Sequence, residues 1–194
     1  MEFERAEAYI LDRLRTGLAD SLYYHGLHHT LDVAQAASAL AEEEGISENE
    51  DLILLKTASL YHDCGFLYAY QGHEAESCRI AAEVLPDFGY KSEQIAEIVG
   101  MITATKLPQS PQTHLEQIIC DADLDYLGRE DYWPVAETLF QELKKRGLIE
   151  DPAAWIATQI RFLETHQYWT ASARKKRDAL KQQHLDRLSK SVGR

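Results

Sequence analysis

Apolar residues recur along this chain at three- and four-residue steps, the spacing that lines them up on one face of a helix. Phe3, Ala6, Ile10, Leu14 and Leu18 make the first such stripe. The pattern predicts helices over residues 2–18, 28–44, 48–64, 72–85, 92–104, 113–127, 130–146, 152–167 and 170–190. Ser47-Glu48-Asn49-Glu50 and Thr113-His114-Leu115-Glu116 read as capping boxes, the hydroxyl taking a free amide while the Glu reaches back. Asp151-Pro152 is an N-cap followed by proline at the first helical position. Gly45, Gly65, Gly89 and Gly147 each follow a periodic segment, where a left-handed residue closes a helix at little cost. No stretch alternates with a period of two for long enough to demand a strand, and residues 106–112 are the clearest loop. The expectation is an all-α, single-domain helical bundle.

Composition narrows the function classes. The chain has 194 residues, 45% apolar and 27% charged, which is ordinary for one soluble domain. No run approaches the roughly 20 apolar residues of a membrane span. The acidic, helix-patterned start Met1-Glu2-Phe3-Glu4-Arg5 does not read as a signal peptide. Cys64, Cys78 and Cys120 are too few and too scattered for a disulfide framework or a zinc cage, so a cytoplasmic location is expected. A net charge of −12 argues against nucleic acid as a partner, because backbone binding needs Lys and Arg to displace counterions. From Arg174 onward eight Lys/Arg stand against two Asp, a local +6 that leaves −18 on the rest. That run reads as a solvated terminal helix rather than a docking arm. Oligomeric state, a homodimer included, is left open.

Candidate chemistry begins at His62-Asp63, at the end of the apolar run 52–61 and just before Cys64-Gly65. Polar side chains at the buried mouth of a helix are costly unless compensated. A divalent cation would compensate them, since a neutral imidazole nitrogen and a carboxylate oxygen are both good ligands. Adjacent helical residues point about 100° apart, so both reach one ion only beside a helix end, which Gly65 would supply. Further groups of the same kinds stand in the segments His28-His29-Thr30-Leu31-Asp32-Val33 and Asp121-Ala122-Asp123-Leu124-Asp125.

Taken in order, these segments give His, His-Asp, Asp, and the chain resembles the HD-domain metal-dependent phosphohydrolases over roughly residues 21–130. The helices of 130–194 would pack on that core or extend from it. The resemblance implies one divalent ion (Mn, Fe, Co, Ni, Zn or Mg) held by His29, His62, Asp63 and Asp123, with Asp63 also serving the chemistry. The family pattern selects His29 over His28 and Asp123 over Asp121; Asp121 is then a hydrogen-bond acceptor behind the ligands. His25 matches a His that resembles a proton donor in cyclic nucleotide phosphodiesterases, with Gly26 where that motif has Asn. Gln71-Gly72-His73-Glu74 matches a segment that binds a second ion in two-metal relatives. The helix after it carries Thr where a further His would stand, which favours one ion and leaves Glu74 as an acid or base beside it. Lys106 and Arg129 are the nearest cations in sequence, candidates for the substrate's phosphate.

Subclass is read from departures. No acidic pair follows the doublet as in alarmone hydrolases, and Phe66 stands where deoxynucleoside monophosphatases carry Glu. Only His73 is available of the two extra histidines that diiron oxygenases of this fold need. What remains is a metal-dependent phosphohydrolase of a nucleotide or other small phosphorylated metabolite. The alternatives are a non-catalytic nucleotide-binding module and a cyclic nucleotide phosphodiesterase. Phe66, Tyr68, Tyr70 and Trp133 are candidates to stack on a base, or core residues.

Overall fold

The structure, a computed structural model, describes residues 1–192. Its helices are α1 (Phe3–Gly17), α2 (Leu27–Glu43), α3 (Asn49–Tyr61), α4 (His73–Val84), α5 (Ser92–Thr105), α6 (His114–Asp123), α7 (Tyr132–Lys145), α8 (Pro152–Thr165) and α9 (Ala171–Val192). Short 3₁₀ turns at Cys64–Leu67, Leu85–Phe88 and Asp125–Gly128 complete it, and no strand occurs among the described residues. None of these helices is long and apolar enough to cross a membrane.

α3 is the central rod, touching α1, α2, α4, α5 and α6. It is buried on several sides, with Thr57, Ala58, Ser59, Leu60 and Tyr61 all inside. A helix so placed needs its polar groups answered locally. Thr57 donates to the Ile53 carbonyl oxygen and Ser59 to that of Leu55, each at 2.8 Å. The predicted caps hold at α6, where Thr113 and Glu116 exchange bonds of 3.2 Å, and at α8, where Asp151 accepts from Ala153 N–H at 3.0 Å. Two expectations are corrected. The third helix begins at Asn49 without a side-chain cap from Ser47, and it ends at Tyr61, not at residue 64. Likewise the predicted helix 113–127 breaks at Asp123 into a 3₁₀ turn.

Gly65 is not the left-handed stop that its position suggested; the positive-φ glycines are Gly45, Gly72, Gly89 and Gly147. Contact, not conformation, demands glycine here, because a Cβ on Gly65 would lie 2.0 Å from the His73 carbonyl oxygen. The start of α4 is thereby seated directly on the chain that follows His62-Asp63. Gly65→Ala should cost about 3 kcal/mol, the upper part of the range for overpacked positions. Urea unfolding measures it, and an unchanged midpoint would show that the two segments separate freely.

α9 lies on α8 and on the 125–128 turn. Several of its cations tie it to the core: Arg177 donates to Asp125 of that turn at 2.6 and 2.8 Å, Lys176 to Glu43 of α2 at 2.7 Å, and Arg187 covers the Trp133 ring of α7. The basic run is thus partly spent inside the molecule; Arg194, its last member, lies outside the described residues.

Candidate metal centre

Three helix ends converge. His29 stands in the first turn of α2, His62 caps the C-terminus of α3 with Asp63 next, and Asp123 ends α6. Donor atoms of His29, His62 and Asp123 all lie within 4.8 Å of one another. Asp63 falls outside that mutual set, but its Oδ2 lies beside it, 3.5 Å from His29 Nε2 and 3.3 Å from His62 Nε2. His29 Nε2 is 3.1 Å from Asp123 Oδ1. The sequence expectation put His62 and Asp63 inside the last helical turn; instead the chain leaves helical geometry at Asp63, which lets both side chains face one point.

The test of fit to a cation lies in the bonding of His62. Its Nδ1–H donates to the Ser59 carbonyl oxygen at 2.8 Å, so Nε2 carries the ring's lone pair toward the cluster. Nε2 makes no hydrogen bond, and Asp63 Oδ2, equally buried, makes none either. A lone pair set 3.3 and 3.5 Å from two carboxylate oxygens needs positive charge between them. A proton meets that need in the protein alone. Burial works against the charged ring, but Asp63 and Asp123 outweigh it and hold the His62 imidazolium well above the usual range. Burial also opposes the carboxylates, yet His62 keeps Asp63 well below its usual value, and His29 with His62 brings Asp123 to about 2. Two imidazoles and two carboxylates in this arrangement fit a divalent ion.

Around this cluster sit the other candidates. Asp63 turns Oδ1 toward His73 Nε2 at 3.4 Å, and Glu74 Oε1 is 3.7 Å from the same nitrogen. Phe66 is not free for a base: its ring packs on those of His25 and His73, at 4.4 and 3.9 Å. Tyr68 is exposed and bonded to Arg13, while Trp133 packs against Tyr132 and His184. Asp121 accepts from Trp169 N–H, Thr170 N–H and the Thr170 hydroxyl at 2.7–2.8 Å, so it holds the start of α9. Burial pushes its carboxyl up to about 6.

One buried carboxylate escaped the sequence reading. Glu142 of α7 is fully buried and accepts from Tyr24 N–H (2.9 Å), His25 N–H (3.1 Å) and the Tyr70 hydroxyl (3.0 Å). Its Oε1 lies 2.6 Å from His25 Nδ1, which fixes the ring and leaves Nε2 as its other nitrogen. Burial opposes its charge, but His25 and the backbone donors bring its pKa to about 2. The available signal was its register, since Glu142 continues the stripe of Val135 and Leu139.

A cavity of about 280 Å³ opens beside the cluster, lined by His25, Asp63, His73, Glu74 and Asp123 among others. Neither Lys106 nor Arg129, the two cation candidates, lines it. Lys106 is exposed at the end of α5. Arg129 faces a second opening with His28 and His29, and its guanidinium is held by Asp32 and Asp131 at 2.8 Å each.

The whole architecture has a solved counterpart. The crystal structure of a predicted HD superfamily hydrolase from an uncultured Thermotogales bacterium superposes with a TM-score of 0.62 over 96% of this chain and 91% of that one, at 22% identity. That likeness establishes the fold. An uncharacterized protein of Clostridium beijerinckii is 35% identical over 74 residues, 37% of this chain; the match spans 46% of that relative's length. The family model described as HD domain matches residues 26–125, which contain His29, His62, Asp63 and Asp123. With just over half of its length inside that match, the chain belongs to the HD-domain family.

Proposed function

We propose that this centre hydrolyses a phosphate ester of a small metabolite with the help of one divalent ion held by His29, His62, Asp63 and Asp123. The observation that carries the reading is the unpartnered pair His62 Nε2 and Asp63 Oδ2, buried beside two further donors at the wall of a cavity. A divalent ion bound there would supply Lewis acidity, acidifying water and offsetting charge on the phosphoryl oxygens.

The chain's own residues supply the proton traffic. As water's oxygen bonds to phosphorus, the Glu74 carboxylate in the cavity wall takes the proton that water sheds. The bond from phosphorus to the ester oxygen breaks, and that oxygen leaves as an alcohol once protonated. In this reading a protonated His25 in the cavity wall gives it the proton from Nε2, its Nδ1 side being anchored on Glu142. Phe66 packs on the rings of both His25 and His73, which restricts their rotation.

The test uses chelator-dialysed protein restored with single metals, following phosphate release from a panel of phosphomonoesters, nucleotides and cyclic nucleotides. At least one of Mn²⁺, Fe²⁺, Co²⁺, Ni²⁺, Zn²⁺ or Mg²⁺ should restore turnover. Nucleotide binding without turnover under every metal would replace the enzyme with a binding module. Turnover confined to cyclic nucleotides would make it a phosphodiesterase.

A further inference from the structure

The cavity beside the metal centre is chemically lopsided. Away from His25, Asp63, His73, Glu74 and Asp123, its wall is built by Leu127, Leu139, Leu143, Trp155 and Phe162, with Ala136 leaving room between them. No Lys or Arg lines it among the described residues. Its neutral polar groups divide: Tyr24, packed on His29, and Tyr126, packed on Tyr24, stand at the metal end, and four others are spent as donors within the protein. Thr105 donates to the Ile102 carbonyl oxygen, Thr158 to that of Ala154, Tyr70 to Glu142 and Tyr132 to Gln159 Oε1. With Oε1 so engaged at 2.8 Å, the amide nitrogen of the buried Gln159 has no acceptor among the described residues.

A nucleoside brings several ribose and base-edge groups, and each one buried without a partner costs on the order of 1–3 kcal/mol. Apolar groups entering the same space gain from leaving water. Resting on the phosphohydrolase reading above, we infer that the substrate is the phosphate monoester of a small, mainly apolar alcohol or phenol. Its body lies between α7 and α8, and at most one acceptor on it meets Gln159 Nε2. The missing cations agree with this, because a di- or triphosphate would bring charge that nothing in the wall answers. About 280 Å³ suits a body of this kind, near the lower end of small-ligand pockets.

Binding, separated from turnover, decides it. Mn²⁺-loaded protein is titrated calorimetrically with ethyl-, butyl-, hexyl- and octylphosphonate, which cannot be hydrolysed, and with AMP and TMP. Affinity should rise about fourfold per methylene, the equivalent of ~0.8 kcal/mol, until the cavity is full. Ala136→Phe, which fills the space, should erase that gain. A flat wild-type series, or AMP or TMP binding more tightly than hexylphosphonate, overturns the inference whether or not the variant folds. A rising series with no ester hydrolysed under any metal would sink the phosphohydrolase reading and leave the apolar ligand class standing. Hydrolysis with a flat series would do the reverse.

Discussion

Asp123→Asn should lose its divalent ion and its turnover together. The amide keeps the size of the side chain and an oxygen that can accept from His29, so α6 retains its seat against α2. What disappears is one of the two negative charges that face His62 Nε2. Loss of a group behind a metal ligand already costs about 10–100-fold in affinity, so loss of a charged ligand should cost at least about 100-fold. Affinity should also fall with decreasing pH in the wild type, because Asp63 and Asp123 favour a proton on His62 that an ion must displace. The measurement is metal titration of chelator-stripped protein, with far-UV circular dichroism as the check on folding. A folded Asp123→Asn protein that binds metal as the wild type does would remove Asp123 from the ligand set.

Most helices were legible in this sequence because they bury one stripe, as α1 does with Ala6, Ile10 and Leu14, and the ordered His, His-Asp, Asp segments were legible because family resemblance reads type and order. Direction was not. Arg129 follows Asp123 closely in sequence, yet the 3₁₀ turn after α6 swings it toward Asp32 and Asp131. Gly65 looked like a helix stop because glycine serves both left-handed turns and close backbone approach, and only the position of His73 separates the two. Phe66, Tyr70 and Trp133 showed that aromatics lay near the doublet in sequence or in the chain's later helices. That Phe66 would stack on two imidazoles instead of a ligand depends on how α4 and the 64–67 turn meet. Glu142 was the largest omission, since a glutamate in Gln141-Glu142-Leu143-Lys144 looks like solvated helix surface. Its partners Tyr24, His25 and Tyr70 come from distant parts of the chain, and only folding brings them to it.

Glu142→Gln provides the second large effect, and the leaving group separates its cause from general damage. In the wild type the carboxylate accepts from His25 Nδ1–H, which fixes the ring and turns its Nε2 away from Glu142. A Gln amide can turn either its oxygen or its NH₂ toward Nδ1, so the ring is no longer held in one orientation. General acid catalysis is worth about 10²–10⁴-fold, so kcat for an alkyl phosphate should fall about 100-fold with KM nearly unchanged. An aryl phosphate with a good leaving group needs little protonation and should lose less than about tenfold. Stability carries an independent signature. Glu142 has its folded pKa near 2, below the ordinary 4.5. Its ionised form therefore stabilises the fold above about pH 4.5, and that contribution is lost as pH falls toward 2. The Gln variant should be less stable at pH 7 and should show a weaker fall in stability across that acid window, measured by urea unfolding at each pH. Equal losses of kcat for alkyl and aryl phosphates would leave Glu142 a structural anchor of the Tyr24–His25 segment and take the proton-donor role away from His25.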